Sequence, residues 1–394
     1  MKNKPLIAVV TSHFVVDFTG QVTVMMYPIL VLTLGLTYTK VGVAAAIYMA
    51  VNGITQPIFG YLGDRIGARY LVAMGLVIHG IFVAMLSQVQ NFTHLVLILA
   101  LAAIGSGMYH PLATGIANRS SLRRKGTAMG AFFIGGNAGF AVSPVISAIA
   151  LNAIGVNYTL ILIIPAVVAA SMFLFLTRDS GASLSKGTIT ESQSSPKDMS
   201  GRRKVYLIQR VLVLGLVMLL RGLTFGGLTV FIPLLYHEVD LSAEVAGLAL
   251  SLFLGGVALG TFVGGVLADR IDKKIIVIGT LLAATPFVLL LANAPGSLPT
   301  QLATFLAGLL LGASQTPTVM AVQEYMPRLI GAASGLALGF TFGAQAAGQA
   351  LTGIMADIVG LERAISLLAT ATVLAVVVAL LLPGSVRLVR LAKL

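Results

Sequence analysis

The chain has 394 residues, of which 57% are hydrophobic and only 10% charged, with a mean hydropathy of +0.98. A soluble chain carries roughly 25% charged residues, so a water-covered globular surface is excluded. The formal charge of +12 would suit a nucleic-acid binder, but its placement along the chain assigns it to membrane topology, and the absence of cysteine removes disulfides and thiolate metal sites.

A bilayer core about 30 Å thick takes about 20 apolar residues as a helix. Twelve such runs occur, at 6–33, 39–62, 70–90, 94–117, 126–152, 157–176, 205–236, 242–268, 275–293, 299–325, 331–356 and 362–383. The first is too long for a signal-peptide core and reads as a retained span. It contains "SHFVVDFTGQ", in which His13, Asp17 and Gln21 recur at every fourth position and so share one helix face. Ionisable groups in hydrocarbon are costly and mark functional sites by default. Span 2 carries Asn52 and Gln56 before Pro57 and ends in "GYLGDRIGAR", which begins at Gly60. Span 3 holds His79, read as a packing residue. Span 4 holds His110 directly before Pro111, where the helix is expected to open. Span 5 holds Asn137.

Residues 177–204 are rich in Ser, Gly and Lys and read as a cytoplasmic linker. The expected organisation is therefore a six-helix bundle over 1–176, the linker, and a second six-helix bundle over 205–394. Span 7 places Arg221 in the membrane. Span 8 has Gly256, Gly260 and Gly264 at the small-xxx-small spacing that lets helices approach closely. It ends in "GVLADRIDKK", which begins at Gly265. Span 10 contributes Gln315, with Gln323 and Glu324 near its end, and span 11 contributes Gln345 and Gln349.

The two halves are in register. An offset of 205 carries Gly60 to Gly265, Pro28 to Pro233 and Gly126 to Gly331, and an offset of 206 carries Pro111 to Pro317. The chain reads as an all-α membrane protein built from two parallel copies of a six-helix unit, an arrangement that places substrate sites at the repeat interface near mid-membrane. Of the 25 Lys and Arg, Lys40 and Arg363 fall in loops on one side and Arg210 and Arg221 inside spans, while the rest fall on the other side. By the positive-inside rule both termini are cytoplasmic, and the expected location is the inner (plasma) membrane. In the repeated loops, Asp64 and Asp269 can accept from helix N-termini, and Arg65, Arg69 and Arg270 can pair with acidic groups or headgroups. Together with Gly60 and Gly265 they are expected to form a conformational latch.

These loops resemble the signature motif of the major facilitator superfamily. The segments "SHFVVDF", "YPIL", "QPIFGYLGDR", "GMYHPLATG" and "GGNAGFAVSP" are similar to the fosmidomycin-resistance branch of its drug exporters. The resemblance implies alternating access and proton-driven export of a small molecule, with spans 1, 4, 7 and 10 lining a cavity. The chain departs from many drug–proton antiporters at Leu101-Ala-Ala-Ile-Gly105, which lacks their Arg and Gln, and at Gly139-Phe-Ala-Val-Ser-Pro144, a partial match to their span 5 motif.

Within that cavity, Asp17 is expected to carry the proton with His13 or His110 tuning it. Because the 205 offset sets Arg221 opposite Val16, Arg221 is expected at Asp17's depth as its counter-ion or as an anchor for an anionic or zwitterionic cargo. His110, Gln21, Asn52, Gln56, Asn137 and Gln315 complete the expected substrate contacts. Two alternatives share this pocket: an uptake symporter for organic anions, and a metal or metal-chelate carrier using His13, Asp17 and His110. No HExxH, GxSxG or nucleophilic cysteine is present, so an enzyme is not expected. The expected partners are protons, a small-molecule substrate and the lipid bilayer, for a monomer driven by the proton gradient with no cofactor.

Overall fold

The computed structural model describes residues 4–120, 125–178, 201–325 and 330–382, with side chains throughout except at 125–126, 201–208 and 330–338. Positions 179–200 of the expected linker lie outside the described residues. No strand occurs among the described residues; the chain is a succession of helices. They are α1 (Lys4–Leu34), α2 (Tyr38–Ile66), α3 (Ala68–Ala84), α4 (Phe92–Arg119), α5 (Lys125–Ile154), α6 (Tyr158–Ile161), α7 (Ile163–Leu176), α8 (Gly201–Glu238), α9 (Ala243–Ala268), α10 (Lys273–Leu290), α11 (Leu298–Ala313), α12 (Gln315–Tyr325), α13 (Ile330–Val359) and α14 (Leu361–Leu380). Eleven spans among the described residues are long and apolar enough to cross a membrane. Large apolar side chains such as Leu32, Ile54, Ile134 and Phe262 stand exposed, as lipid-facing residues do.

Local chemistry sets the helix starts. Thr37 Oγ1 accepts from the Lys40 amide (3.2 Å) and Asn91 Oδ1 from the His94 amide (2.9 Å), capping α2 and α4. Asp272 does the same for α10, accepting from the Lys274 amide at 2.9 Å. Between α2 and α3 the chain reverses over one residue, Gly67, whose φ of 96° is open only to glycine without strain.

Two expected spans prove to be pairs of helices. Span 6 breaks at Leu162, three residues before Pro165, and span 10 breaks at Ser314, three before Pro317. A proline lacks the amide proton and its ring clashes with the carbonyl four residues back, here the last residue of α6 and of α11. At Pro111 the expectation of an opened helix is not met, since α4 runs on without a break.

The chain divides into two compact units, Met1–Ile189 with Ile232–Ser251, and Thr190–Phe231 with Leu252–Leu394. Beside the expected bundle boundaries, the first unit thus takes in the end of α8 and the start of α9. There the Val145 amide donates to Ser251 Oγ (3.1 Å) and Asn152 Nδ2 to Glu244 Oε1 (2.5 Å). The core of the first unit joins Val9, Val16, Leu76, Tyr109, Ile116, Phe132 and Phe173.

Each unit closes its last helix in the same way. The final carbonyls of a helix have no intrahelical donor and carry partial negative charge. In the first unit Arg69 donates to the Leu174 carbonyl (2.7 Å) and to Thr177 Oγ1 (3.3 Å) at the end of α7. In the second, Lys274 donates to the carbonyls of Leu380 (2.8 Å) and Leu382 (2.5 Å), and Arg210 to that of Leu381, at the end of α14. Residues 69 and 274 are related by the 205 offset. Arg69, expected in the latch, is therefore engaged inside its own unit. Replacing Arg69 or Lys274 by Ala should each lower stability by about 1–2 kcal/mol, read as a drop of a few degrees in the thermal unfolding of the detergent-solubilised protein.

In the second unit the glycine row of α9 meets a second row on α11. A Cβ at Gly256, Gly260 or Gly264 would overlap the carbonyl of Phe305, Leu309 or Ala313, and one at Gly308 or Gly312 would overlap that of Phe253 or Val257. Lipid tails are as apolar as leucine, so such backbone-to-backbone packing carries the helix association here.

Candidate functional site

Close approach of α1 and α5 builds the site. Gly135, Gly136 and Gly139 of α5 lie against the Val10 carbonyl, the His13 and Asp17 side chains and the Phe14 carbonyl, where any Cβ would collide. With the helices this close, His13 stacks on Phe132 (ring centroids 3.9 Å apart, planes 17° apart) and its Nδ1 sits 2.8 Å from the Phe132 carbonyl. On the other side of Asp17, His110 of α4 sets its Nδ1 2.8 Å from the Ser106 carbonyl of its own helix. The two Nε2 atoms then converge on one carboxylate: His13 Nε2 lies 3.2 Å from Asp17 Oδ2, and His110 Nε2 lies 3.1 Å from Asp17 Oδ1.

Donor counting gives the places that protons can take in this geometry. A backbone carbonyl only accepts, so each Nδ1 carries a proton. Each Nε2···O contact then needs one proton of its own, held on the nitrogen or on the carboxyl oxygen. With both Nδ1 atoms donating to these carbonyls, the arrangement has places for two shared protons among His13, Asp17 and His110. Loss of either leaves a lone pair facing a lone pair and breaks one contact. The side chains of Asp17 and His110 are 21% and 24% exposed and that of His13 only 5%, so exchange has an open side at Asp17 and His110.

A polar wall extends from His110. Ser106 Oγ is 3.2 Å from His110 Nδ1, Asn52 Nδ2 donates to Ser106 Oγ (3.1 Å), and Gln56 Nε2 donates to Asn52 Oδ1 (3.1 Å). Beneath His13, Tyr109 donates to the Val9 carbonyl (3.0 Å) and shares a hydrogen bond with Ser12 (2.8 Å), tying α4 to α1.

Of the residues singled out in the sequence, His13, Asp17, His110, Asn52 and Gln56 thus form one connected cluster. Gln21 is buried on α1, and its amide nitrogen has no hydrogen-bond partner among the described residues. Asn137 is exposed on α5, on a different face from the glycines that meet α1, and does not join the cluster. His79 is buried with Nδ1 3.1 Å from the Ala102 carbonyl, as expected of a packing residue. Gly60, Asp64 and Arg65 lie at the end of α2, with Asp64 exposed and the Arg65 guanidinium 4.6 Å from the centre of the Tyr61 ring.

Arg221 and Gln315 belong to the second unit. Arg221 is 2% exposed, and its Nε has no acceptor among the described residues. Asp17 has a histidine at each of its oxygens. Gln315 is half-buried at the start of α12. Asp269 and Arg270 are exposed and line a cleft of about 250 Å³ with Lys273 and Glu324, which pair at 2.8 Å, while Gly265 packs toward Thr316.

Phe132, Gly136 and Ser106 were not singled out from the sequence. The paired glycines before Asn137 were the available signal, since they permit the approach that brings Phe132 to His13. Gly136→Ala tests it. The added methyl would lie 2.5 Å from Asp17 Oδ2 and overlap His13. Overpacking of this kind costs about 1–3 kcal/mol, so proton-driven flux should fall about tenfold or more while the protein remains folded.

Residues 9–239 and 214–391 match the Major Facilitator Superfamily. The chain is 27% identical over 359 residues to the fosmidomycin resistance protein of Escherichia coli (strain K12), covering 90% of this chain and 87% of that protein. It is 27% identical over 391 residues to the uncharacterized MFS-type transporter YfnC of Bacillus subtilis (strain 168), covering 97% and 93%. A solved bacterial homolog of the human lysosomal transporter Spinster, inward-facing and occupied, shares the fold with a TM-score of 0.77 at 16% identity over 95% of each chain. These proteins are transporters, not enzymes. With two repeated sets of six spans and a family match along nearly its whole length, the chain belongs to the Major Facilitator Superfamily as a multi-pass secondary transporter resembling the fosmidomycin-resistance branch.

Proposed function

We propose that the protein is a proton-coupled antiporter that exports a small anionic or zwitterionic molecule from the cytoplasm. The observation that carries this reading is the convergence of His13 Nε2 and His110 Nε2 on the two oxygens of Asp17, at 3.2 and 3.1 Å. A site that breaks a contact when it gives up a proton converts protonation into a change of helix packing between α1 and α4. That is what alternating access requires of a coupling group. Its location is the inner membrane with both termini cytoplasmic, following the distribution of Lys and Arg. Export fits the likeness to the fosmidomycin resistance protein, and to the quinolone resistance protein NorA of Staphylococcus aureus over 143 residues at 26% identity.

Arg221 supports an anionic group on the cargo. A buried guanidinium with an unsatisfied Nε is costly until an acceptor completes it, and charge-assisted hydrogen bonds contribute about 1.5–3 kcal/mol. Arg221→Gln should therefore raise the KM for an anionic cargo by about tenfold to a hundredfold. An unchanged KM would remove Arg221 from cargo binding.

The test of the whole reading is transport in proteoliposomes under an imposed pH gradient, with fosmidomycin as the first of a panel of anionic and zwitterionic compounds. Cargo movement opposite to the proton gradient is the expected result. Cargo moving with protons would replace antiport by uptake symport.

A further inference from the structure

The same three side chains meet the requirements of a transition-metal site. His13, Asp17 and His110 each present a ligand atom, and these atoms all lie within 4.8 Å of one another. Bonds of 2.0–2.2 Å around a tetrahedral Zn²⁺ put neighbouring ligand atoms about 3.3 Å apart. The Nε2–carboxylate separations are already 3.2 and 3.1 Å. Both imidazoles are also oriented as metal ligands are. A ligating histidine characteristically donates its other ring N–H to a carbonyl or carboxylate, which fixes the tautomer that leaves the ligating nitrogen free. Here both Nδ1–H groups are fixed in that way, on the carbonyls of Phe132 and Ser106 at 2.8 Å each. Two neighbouring hydrogen-bonded side chains do not by themselves require this second feature, and it occurs at both histidines.

We propose that His13 Nε2, His110 Nε2 and the Asp17 carboxylate bind one divalent transition-metal ion, with Zn²⁺ the best match. Two imidazoles and one carboxylate suit Zn²⁺, Co²⁺ or Ni²⁺ and disfavour Mg²⁺ and Ca²⁺, which take all-oxygen shells. Three protein ligands leave a fourth position open on the accessible side of Asp17 and His110. The exchange balances: the metal takes the place of any protons shared at the two contacts, which leave to solvent.

The experiment is a calorimetric titration of the full chain, free of any affinity tag and solubilised in detergent, with Zn²⁺. Expected are one equivalent bound and a loss of affinity of at least about tenfold in Asp17→Asn and in His110→Ala. His94→Ala, at a histidine outside the cluster, should bind as the parent does. Co²⁺ should give the visible bands of a tetrahedral site in the parent and lose them in His110→Ala. Absence of saturable Zn²⁺ binding, equal affinity in all variants, or equal competition by Mg²⁺ would each overturn the proposal. Elution of each variant as the parent does on size exclusion separates lost ligation from lost folding. The titration involves no transport, so its failure leaves proton coupling untouched, and a failure of proton coupling leaves the metal site standing.

Discussion

Asp17→Asn should reduce proton-driven transport to the level of empty liposomes while the protein folds and still exchanges cargo across the membrane. The asparagine amide has the shape of the carboxyl group and can satisfy both neighbours. Its oxygen accepts from one protonated Nε2, and its NH₂ donates to the lone pair of the other. The two contacts at 3.1 and 3.2 Å are therefore preserved, and the site keeps the charge of its proton-loaded form. What is lost is the carboxylate that binds and releases the proton. Substituting Ala instead would leave His110 without its partner and would confuse coupling with packing. Two measurements on one preparation decide the matter. Counterflow of labelled cargo without a pH gradient should persist, and uptake driven by a pH gradient should vanish. Retention of gradient-driven transport by Asp17→Asn would move the coupling group elsewhere.

Gly260→Val should have the largest effect on folding. Its Cβ would overlap the Leu309 carbonyl oxygen and lie 2.8 Å from the Leu309 carbonyl carbon and 2.9 Å from the Ala313 amide nitrogen. All three are backbone atoms of the neighbouring α11 and cannot turn away as a side chain can. The helices must separate along a row that also includes Gly256, Gly264, Gly308 and Gly312, and overpacking costs about 1–3 kcal/mol even where neighbours can adjust. Monodisperse protein should be scarce and its unfolding temperature markedly lower. Gly255→Ala is the control, because nothing lies within 4 Å of its Cβ. Helix propensity favours Ala over Gly by about 1 kcal/mol, so this neighbouring substitution should leave stability unchanged or raise it. Equal stability of the two variants would mean that the glycine row is not what holds α9 to α11.

Much of this architecture was legible in the sequence because lipid makes strong demands. Apolar runs of the right length are a direct consequence of crossing a bilayer. The 205 offset also relates Arg69 to Lys274, but their parallel contacts with the last helix of each unit were not read from it. The breaks at Leu162 and Ser314 were not read, although Pro165 and Pro317 were visible. Pro28, Pro57 and Pro233 sit inside unbroken helices, so a proline alone does not announce which outcome follows. The stripe of His13 and Asp17 was legible through its spacing, and His110 as an ionisable residue inside an apolar span. Their direct contact was not, because it depends on how far α1 sinks into α5. That depth is set by Gly135, Gly136 and Gly139, and an absence of side chains carries little signal until its partner is known.

The exchange of large and small residues between the two repeats has a consequence for how such a protein can be rebuilt. By the 205 offset, Gly222 stands where the first repeat has Asp17, and Thr341 stands where it has Gly136. In the first repeat the inner helix supplies the bulk and its neighbour the hollow; in the second these positions are reversed, and a Cβ at Gly222 would overlap Ala344. Duplicated halves have thus kept the joint at the end of each bundle while dividing the chemistry, the His13–Asp17–His110 cluster to one and the buried Arg221 guanidinium to the other. A chain assembled from two first halves would contain two His–Asp–His clusters, and one assembled from two second halves would contain none. Swapping Gly222 to Asp would not graft the site, because the hollow that must receive it lies on the other copy.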